Sequence, residues 1–282
     1  MLKRALTVVV VLPILILIVF VGGIPLIAIC ALAALIGLRE INMAVSSTTG
    51  PNNTTNPSKK RHLHIHSVGY LYTIAYFAAI HFFGTGMPQF LVLTLFFITS
   101  QVCVVIFFNK IALLDYFGTV YGFLHIPVLA SFIVMVRGHE YGNFYVWLIF
   151  TSSFGCDTFA YLTGTTIGKH KLTGTPSPKK SVEGVIGGII GAAFLGGLYA
   201  FIIGFFGTPP SGFVLQAVVI CAICAAFCVI GDMSASAIKR FTGIKDFGNI
   251  FPGHGGMIDR MDSIVVAAPI VFICITVITL IS

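Results

Sequence analysis

The chain has 282 residues, of which 57% are hydrophobic and only 9% are charged, and its formal net charge at pH 7 is +7. A soluble domain carries roughly 25% charged residues, so this composition excludes a protein whose whole surface faces water. In such a chain the excess of lysine and arginine sets membrane topology and attracts phosphates or anionic head groups, and it does not indicate nucleic-acid binding.

Apolar runs recur along the whole chain, and a helix that crosses a bilayer needs about 20 such residues. We predict an all-α, polytopic integral membrane protein with about nine transmembrane helices. The predicted spans are 5–22, 24–42, 67–86, 88–108, 113–136, 143–163, 184–206, 212–231 and 263–281. Gly22, Gly23 and Pro25 interrupt the first pair, so a single kinked helix is the alternative to two spans there.

The distribution of basic residues supports this topology. With the N-terminus in the cytoplasm, nine spans place all but one of the 16 lysines and arginines on the cytoplasmic side, and only Arg137 lies opposite. We therefore expect a multi-pass protein of the cell (inner) membrane with its active site facing the cytoplasm. Two domains are predicted: N-terminal transmembrane helices over 1–139, with a polar cytoplasmic linker at 45–66, and a C-terminal catalytic transmembrane domain over 140–282. The second has cytoplasmic loops at 164–183 and 232–262.

Two groups of residues resemble metal sites without the expected surroundings. His62, His64 and His66 alternate in the linker and could bind a metal, but a solvated, basic segment beside the membrane is the favoured interpretation. Cys221 and Cys224 form a CxxC inside an apolar run with no matching Cys or His pair nearby. Packing therefore explains these two cysteines better than a zinc or redox site does.

Most of the acidic residues gather near the two predicted loops. Of the nine carboxylates, six lie in or beside them: Asp157, Glu183, Asp232, Asp246, Asp259 and Asp262. A carboxylate in or near a membrane segment is costly unless it pairs or binds something. Glu40 and Asp115 are expected near the membrane interfaces, where solvation or snorkelling explains them.

The predicted loop 232–262 has the composition of a metal–nucleotide site. Asp259 and Asp262 would share one face of a helix, and Mg²⁺ binds oxygen ligands together with phosphate oxygens. The basic residues that could meet phosphates are Lys239, Arg240, Lys245 and Arg260. The glycines that would let backbone approach a ligand around His254 are Gly253, Gly255 and Gly256. The alternative is a salt-bridged connector that faces water.

The predicted loop 164–183 resembles an anion site. Asp157 falls inside a predicted span, which makes it a functional candidate. A serine and two lysines at the start of the next helix favour phosphate binding. The residues concerned are Ser177, Lys179, Lys180, Ser181 and Glu183. An ordinary helix cap with interfacial lysines is the alternative, and the glycine spacing does not fit a Walker A motif.

Three stretches resemble one known signature. They are Ser236-Ala-Ile-Lys239-Arg240, Lys245-Asp246-Phe-Gly248 and Pro252-Gly-His254-Gly255-Gly256-Met-Ile-Asp259-Arg260-Met-Asp262. Together they resemble the phosphatidate cytidylyltransferase (CDP-diglyceride synthetase) family. The residues from Asp157 to Gly184 resemble that family's second motif, with Val182 where bacterial members often carry tryptophan. The resemblance covers residues 140–282 well.

This resemblance implies an enzyme that condenses CTP with phosphatidic acid, by in-line attack of the lipid phosphate on the CTP α-phosphate, and releases pyrophosphate and CDP-diacylglycerol. It implies an all-α fold with a funnel open to the cytosol and the lipid. It also implies dependence on Mg²⁺, with a second cation such as K⁺ beside it. By residue-wise carry-over, Asp232 and Asp259 are the metal ligands, with Asp246 and Asp262 as neighbours.

The remaining roles follow from the residues and the resemblance together. The predicted catalytic residues are Asp232, Asp246, Asp259, Lys239, Arg240 and His254. The predicted substrate-binding residues are Lys179, Lys180, Ser177, Ser181, Glu183, Asp157, Lys245, Gly255, Gly256 and Arg260. His254 either protonates the leaving pyrophosphate or, as we favour, donates to a phosphate while neutral. Membrane lipids are expected partners, and a homodimer is left open.

Two other functions compete with this hypothesis. A transporter would keep its ionisable groups at mid-membrane between broken helices, whereas here they gather at the predicted cytoplasmic ends. A CTP-dependent polyprenol or phytol kinase would transfer the γ-phosphate to an alcohol. Its products, CDP and a lipid phosphate, distinguish it from a cytidylyltransferase.

Overall fold

A computed structural model of the chain describes residues 13–46, 63–108, 111–250 and 255–281. Within these ranges the backbone forms helices joined by turns and loops, and an isolated β-bridge joins Lys171 and Ser181. The all-α fold class is therefore confirmed. Of the predicted linker histidines, His62 lies outside the described residues.

After a helical stretch over residues 13–21, nine α-helices follow one another along the described chain. They are α1 Gly23–Ser46, α2 Leu63–Phe83, α3 Met87–Ile106, α4 Leu113–Phe123, α5 Leu129–Arg137, α6 Gly142–Thr166, α7 Val182–Ile203, α8 Phe213–Thr242 and α9 Ile258–Ile281. A short π-helical segment, Leu124–Val128, joins α4 to α5. It contains Pro127, which has no N–H to donate and so perturbs the regular α-helical pattern.

Six helical stretches are long and apolar enough to cross a membrane. They are Gly23–Ser46, Met87–Ile106, Leu113–Arg137, Val182–Ile203, Phe213–Thr242 and Ile258–Ile281. Helices α2 and α6, with 21 and 25 residues, coincide with two further predicted spans but fall outside this set. A multi-pass membrane protein is therefore confirmed, and the count of nine spans stays a prediction.

The predicted break near the N-terminus is present. Residues 13–21 are helical, and α1 begins at Gly23. Gly22 and Gly23 have φ angles of 68° and 52°, a left-handed conformation that glycine adopts without a steric penalty. The rest of the first predicted span, 5–12, lies outside the described residues.

The chain forms two compact units. Unit 1 comprises Met1–Val134 and Lys239–Asp259, and unit 2 comprises Met135–Ile238 and Arg260–Ser282. The first division lies close to the predicted boundary at 139/140. Unit 1 also contains a segment that the sequence placed in the C-terminal domain. The predicted catalytic role of that domain stays a prediction.

In unit 1, helix α1 packs against α2 and α4 through large apolar side chains. Leu38 and Ile41 of α1 are almost fully buried. Gly122 of α4 permits their close approach, because a Cβ atom there would lie 2.7 Å from Leu38 Cδ1. Beside them, Phe96 of α3 stacks on Phe123 of α4 with ring centroids 4.1 Å apart. The packing fixes the position of α1 within the unit.

A buried polar network joins the same three helices. The Ser46 hydroxyl donates to Asp115 Oδ1 at 2.8 Å, and His66 Nδ1 lies 2.9 Å from Thr119 Oγ1. Asp115 is 1% exposed and His66 is 9% exposed, so the expectation that solvation explains these two residues is wrong. Hydrogen bonding inside the protein replaces water here, as burial of polar groups requires.

In unit 2, helices α6 and α7 approach closely through small residues. A Cβ atom at Gly188 would lie 2.9 Å from the Cys156 carbonyl oxygen, and one at Gly191 would overlap the Phe159 ring. Small residues allow this approach in membrane helices. Cys221 and Cys224 are buried free thiols near the backbone carbonyls of Leu148 and Ala267, which supports packing as the role of this CxxC.

Candidate active site

Helix α8 is longer than the sequence indicated. The prediction ended it at 231, but it continues to Thr242, so Asp232, Lys239 and Arg240 are helical residues and do not lie in a loop. Its end has a clear cause. Gly243 adopts φ 70°, its N–H donates to Arg240 O, and the next N–H donates to Lys239 O. This is the Schellman arrangement that terminates helices at glycine.

Helix α9 also begins earlier than predicted. The predicted span started at 263, whereas α9 starts at Ile258 and includes Asp259 and Asp262 near its N-terminus. The predicted loop 232–262 therefore shrinks to residues 243–257. The first N–H groups of a helix have no partner within it, and acidic groups are stabilised beside them.

The loop between α6 and α7 is a folded hairpin over 167–181. Leu172 N–H donates to Lys180 O, and Val182 N–H donates to His170 O, each at 2.9 Å. Ser181 is buried and its hydroxyl caps α7 by accepting the Gly184 N–H at 3.2 Å. The cap that the sequence left as an alternative is therefore present, and a role for Ser181 in substrate binding stays a prediction.

Glu183 stabilises this hairpin. Its two carboxylate oxygens accept the His170 N–H at 3.2 Å, and Oε1 lies 2.5 Å from His170 Nδ1. The carboxylate therefore joins the start of α7 to the first residues of the hairpin. Its predicted substrate-binding role is untested, while its contact within the protein is defined.

Unit 2 brings together residues from several predicted motifs. Lys180, at the end of the hairpin, forms an ion pair with Asp232 of α8. Their side chains are 27% and 28% exposed, so both remain accessible to solvent. Asp157 of α6 lies within electrostatic range of this pair and of Arg260. The predicted binding lysine therefore faces the predicted metal ligand.

Unit 1 contains a second lysine–aspartate pair with different surroundings. Lys239 Nζ lies 2.8 Å from Asp259 Oδ1, and the side chains are 18% and 6% exposed. Asp259 Oδ2 accepts the Phe247 N–H at 2.9 Å and the Gly256 N–H at 3.0 Å. Gly255 adopts φ 84°, and a Cβ atom there would lie 2.8 Å from the same oxygen. Asp259 thus holds the surrounding loop in place.

Glu40 of α1 contacts the same part of unit 1. It is 1% exposed, and its carboxylate oxygens accept the N–H groups of Met257 and Ile258 at 2.9 Å each. The expectation that Glu40 is solvated at an interface is wrong. A carboxylate after a long apolar run is itself a signal of function in a membrane protein, but the sequence did not identify this partner.

Most of the other predicted site residues lie at the protein surface. Lys179, Lys245 and Asp246 are exposed, as are Arg240 and Arg260. Asp262 Oδ1 accepts the N–H of Ser263, and Ser177 contributes its carbonyl oxygen to the hairpin by accepting the Lys180 N–H. His254 and Gly253 lie outside the described residues.

A magnesium ion at these carboxylates would have to share its coordination with phosphate and water. Among the residues that the structure describes, no group of three or more His, Cys, Asp or Glu side chains could hold a metal. Mg²⁺ is usually bound by one or two carboxylates together with phosphates and water. Asp259 Oδ1 accepts one hydrogen bond, and an ionised carboxylate oxygen has a second lone pair for a cation.

Comparison with known proteins identifies the family. A family model described as "Cytidylyltransferase family" matches residues 2–278. Phosphatidate cytidylyltransferases of *Rickettsia bellii* and *Thermotoga maritima* are 36% and 33% identical over 153 and 150 residues. These alignments cover 54% and 53% of this chain, and 66% and 55% of the relatives.

A third relative supports the same assignment. The phosphatidate cytidylyltransferase of *Bacillus subtilis* is 32% identical over 150 residues, or 53% of this chain and 54% of that protein. The chain thus matches between about half and two thirds of the length of these curated relatives. The family match over nearly the whole sequence shows that this chain belongs to the cytidylyltransferase family.

Proposed function

We propose that this chain is a phosphatidate cytidylyltransferase, which condenses CTP with phosphatidic acid to give CDP-diacylglycerol and pyrophosphate. The match to the cytidylyltransferase family over residues 2–278 carries the proposal. The relatives named phosphatidate cytidylyltransferase support the choice of phosphatidic acid as the acceptor. Two lysine–aspartate pairs in the signature segments supply groups suited to phosphate chemistry.

The reaction requires positioning and charge neutralisation more than proton removal. An oxygen of the phosphatidate phosphate forms a bond to the α-phosphorus of CTP, and the bond from that phosphorus to the bridging oxygen of pyrophosphate breaks. The attacking oxygen is already anionic, so no strong general base is needed. Two polyanions must instead be held in line, which cationic side chains and a divalent ion achieve.

Lysines paired with aspartates suit this task. In each pair the aspartate holds the ammonium group in one place, so little side-chain freedom is lost when a phosphate arrives. Lys180, at the end of the hairpin, is proposed to bind substrate phosphate together with Lys179 and Arg260. Lys239 and Arg240 are proposed to neutralise charge that develops on the transferring and leaving phosphates.

Mg²⁺ is proposed as the cofactor, with Asp232 and Asp259 as its ligands and Asp246 and Asp262 as neighbours. When bound, the ion would neutralise phosphate oxygens and polarise the reacting phosphorus centre. A second cation such as K⁺ and a phosphate-binding role for His254 are proposed from the family resemblance.

The membrane setting fits the acceptor. The phosphate of phosphatidic acid lies at the head-group plane, and apolar helices would hold the enzyme beside it. We propose the cell (inner) membrane as the location, with the site facing the cytoplasm, where CTP is supplied. The basis is the asymmetric distribution of lysine and arginine.

Product analysis with two separately labelled preparations of CTP tests the proposal. Purified protein in detergent receives CTP labelled on the α-phosphate or the γ-phosphate, phosphatidic acid and Mg²⁺. A cytidylyltransferase moves the α-label into lipid and releases the γ-label as pyrophosphate. In a parallel reaction with a polyprenol in place of phosphatidic acid, transfer of the γ-label to the polyprenol would instead support a lipid kinase. Retention of both labels in CTP when phosphatidic acid is present would overturn the proposed reaction.

A further inference from the structure

A buried carboxylate on the first described long helix caps the helix that carries Asp259. Glu40 and its partners Met257 and Ile258 are 217 and 218 positions apart in the sequence. One carboxylate oxygen accepts the Met257 N–H and the other accepts the Ile258 N–H. Ile258 is the first residue of α9, where backbone N–H groups have no partner within the helix. Glu40 therefore supplies from α1 the cap that the local sequence does not provide.

Two glycines allow this carboxylate to approach the backbone. A Cβ atom at Gly256 would lie 2.5 Å from Glu40 Oε1 and 2.6 Å from Oε2. A Cβ atom at Gly248 would also overlap Oε1. Real side chains do not tolerate such distances, so both positions need glycine while Glu40 occupies this place. Two glycines of the signature therefore leave room for the side chain of Glu40, a residue outside the signature.

The amides of one short segment are divided between two carboxylates. Gly256 N–H donates to Asp259 Oδ2, whereas the next two N–H groups donate to Glu40. The following residue is Asp259 itself, whose other oxygen faces Lys239. The backbone direction that Glu40 fixes over 257–258 therefore sets where Asp259 presents Oδ1.

We propose that Glu40 is a positioning residue for cytidylyl transfer, which acts by fixing the start of α9 and hence the orientation of Asp259. This inference rests on the proposed function. Glu40 itself contacts backbone amides, and it acts on the reaction only through Asp259. Its removal is expected to lower the rate of the chemical step more than the apparent affinity for CTP.

Three variants separate positioning from stability. Glu40→Gln keeps the shape of the side chain and one acceptor oxygen but turns an NH₂ group toward the second backbone N–H. Glu40→Ala removes both acceptors. Asp115→Asn is the matched control, because Asp115 is also a 1% exposed carboxylate in unit 1 but accepts a hydrogen bond from Ser46. Thermal unfolding in detergent is measured for each.

The expected result is a difference in kinetics between variants of similar stability. Loss of a charge-assisted hydrogen bond at the cap should lower kcat by about tenfold in Glu40→Gln and by more in Glu40→Ala. The KM for CTP should stay within about twofold in both. Asp115→Asn should retain kcat once its folded fraction is matched. Equal kcat losses in Glu40→Gln and Asp115→Asn would overturn the positioning role.

A double-mutant cycle tests the contact itself. In the wild-type background, Gly248→Ala should displace the Glu40 carboxylate and lower kcat. In the Glu40→Ala background the same methyl group meets the space that the carboxylate vacated, so it should lower kcat little further. Independent, multiplicative losses would contradict the proposed contact.

Hydrogen–deuterium exchange makes this test independent of the reaction. A peptide covering residues 255–260 should exchange faster in Glu40→Gln than in wild type, and at the wild-type rate in Asp115→Asn. If wild type fails to make CDP-diacylglycerol, the proposed function fails while the exchange result still reports on the cap. Unchanged exchange in Glu40→Gln would overturn the inference even if the enzyme is active.

Discussion

The two lysine–aspartate pairs of this protein are chemically alike but differ in how they are held. Asp259 has a 6% exposed side chain and accepts hydrogen bonds from Lys239 and two backbone amides. Asp232 has a 28% exposed side chain and pairs with Lys180 at the end of a surface hairpin. The comparison distinguishes an aspartate built into the fold from one whose lysine partner remains accessible to a substrate phosphate.

Asp259→Asn should have the largest effect, because it alters both the proposed metal ligand and the structure around it. Turnover should fall by more than about 100-fold, as expected when a group that stabilises transition-state charge is lost. Stability should fall by about 2–3 kcal/mol, since hydrogen bonds to a buried charged acceptor are weakened. Pyrophosphate release and thermal unfolding in detergent measure the two effects. Near-normal turnover would remove Asp259 from the site.

Asp232→Asn should separate activity from stability. Turnover should again fall strongly if Asp232 binds the metal, but stability should change by about 1 kcal/mol or less, because the Lys180 pair is partly exposed. The same two assays apply. A large loss of stability with little loss of activity would reverse the contrast between the two aspartates.

Lys180→Ala should mainly weaken substrate binding. The KM for CTP or phosphatidic acid should rise by about tenfold, since one charged contact to phosphate is lost. Lys171→Ala is the matched control, because Lys171 is an exposed lysine of the same hairpin outside the predicted site. Steady-state kinetics with each substrate varied in turn measure the effect. Unchanged KM and kcat in Lys180→Ala would place this lysine outside the site.

Ser181→Ala should have the smallest effect, and it tests whether the N-cap of α7 stabilises the position of the neighbouring Lys180. The variant removes the N-cap of α7 and should lower stability by about 1 kcal/mol. Because Lys180 precedes this residue, a modest rise in KM without a change in kcat is expected. A loss of kcat comparable to that of Asp232→Asn would instead indicate that the hydroxyl contacts the reacting groups.

The membrane helices could be predicted well because a run of about 20 apolar residues is a local feature of the sequence. Eight of the predicted spans coincide with helices, and hydrophobic length alone identified them. The end of α8 was wrong, because the prediction stopped at the first charge, Asp232, although no glycine or proline occurs between Asp232 and Gly243. The start of α9 was wrong for the same reason, since acidic residues were taken to mark a loop.

The candidate site could be predicted only in part. The sequence predicted Lys180 and Asp232 as candidate site residues, but not that the hairpin brings them together. Glu40 was missed as a partner of the signature because its contact joins positions more than 200 residues apart. Distance along the chain hides such contacts, and the local pattern around Glu40 resembles an ordinary end of a membrane helix.

Binding of Mn²⁺ in place of Mg²⁺, followed by electron paramagnetic resonance in the presence of CTP, tests the central claim most directly. The claim is that aspartates of the signature hold a divalent ion against the nucleotide. Asp232→Asn and Asp259→Asn should each weaken Mn²⁺ binding by at least about tenfold, while Asp115→Asn should bind as wild type does. Wild-type Mn²⁺ affinity in both signature variants would contradict the claim.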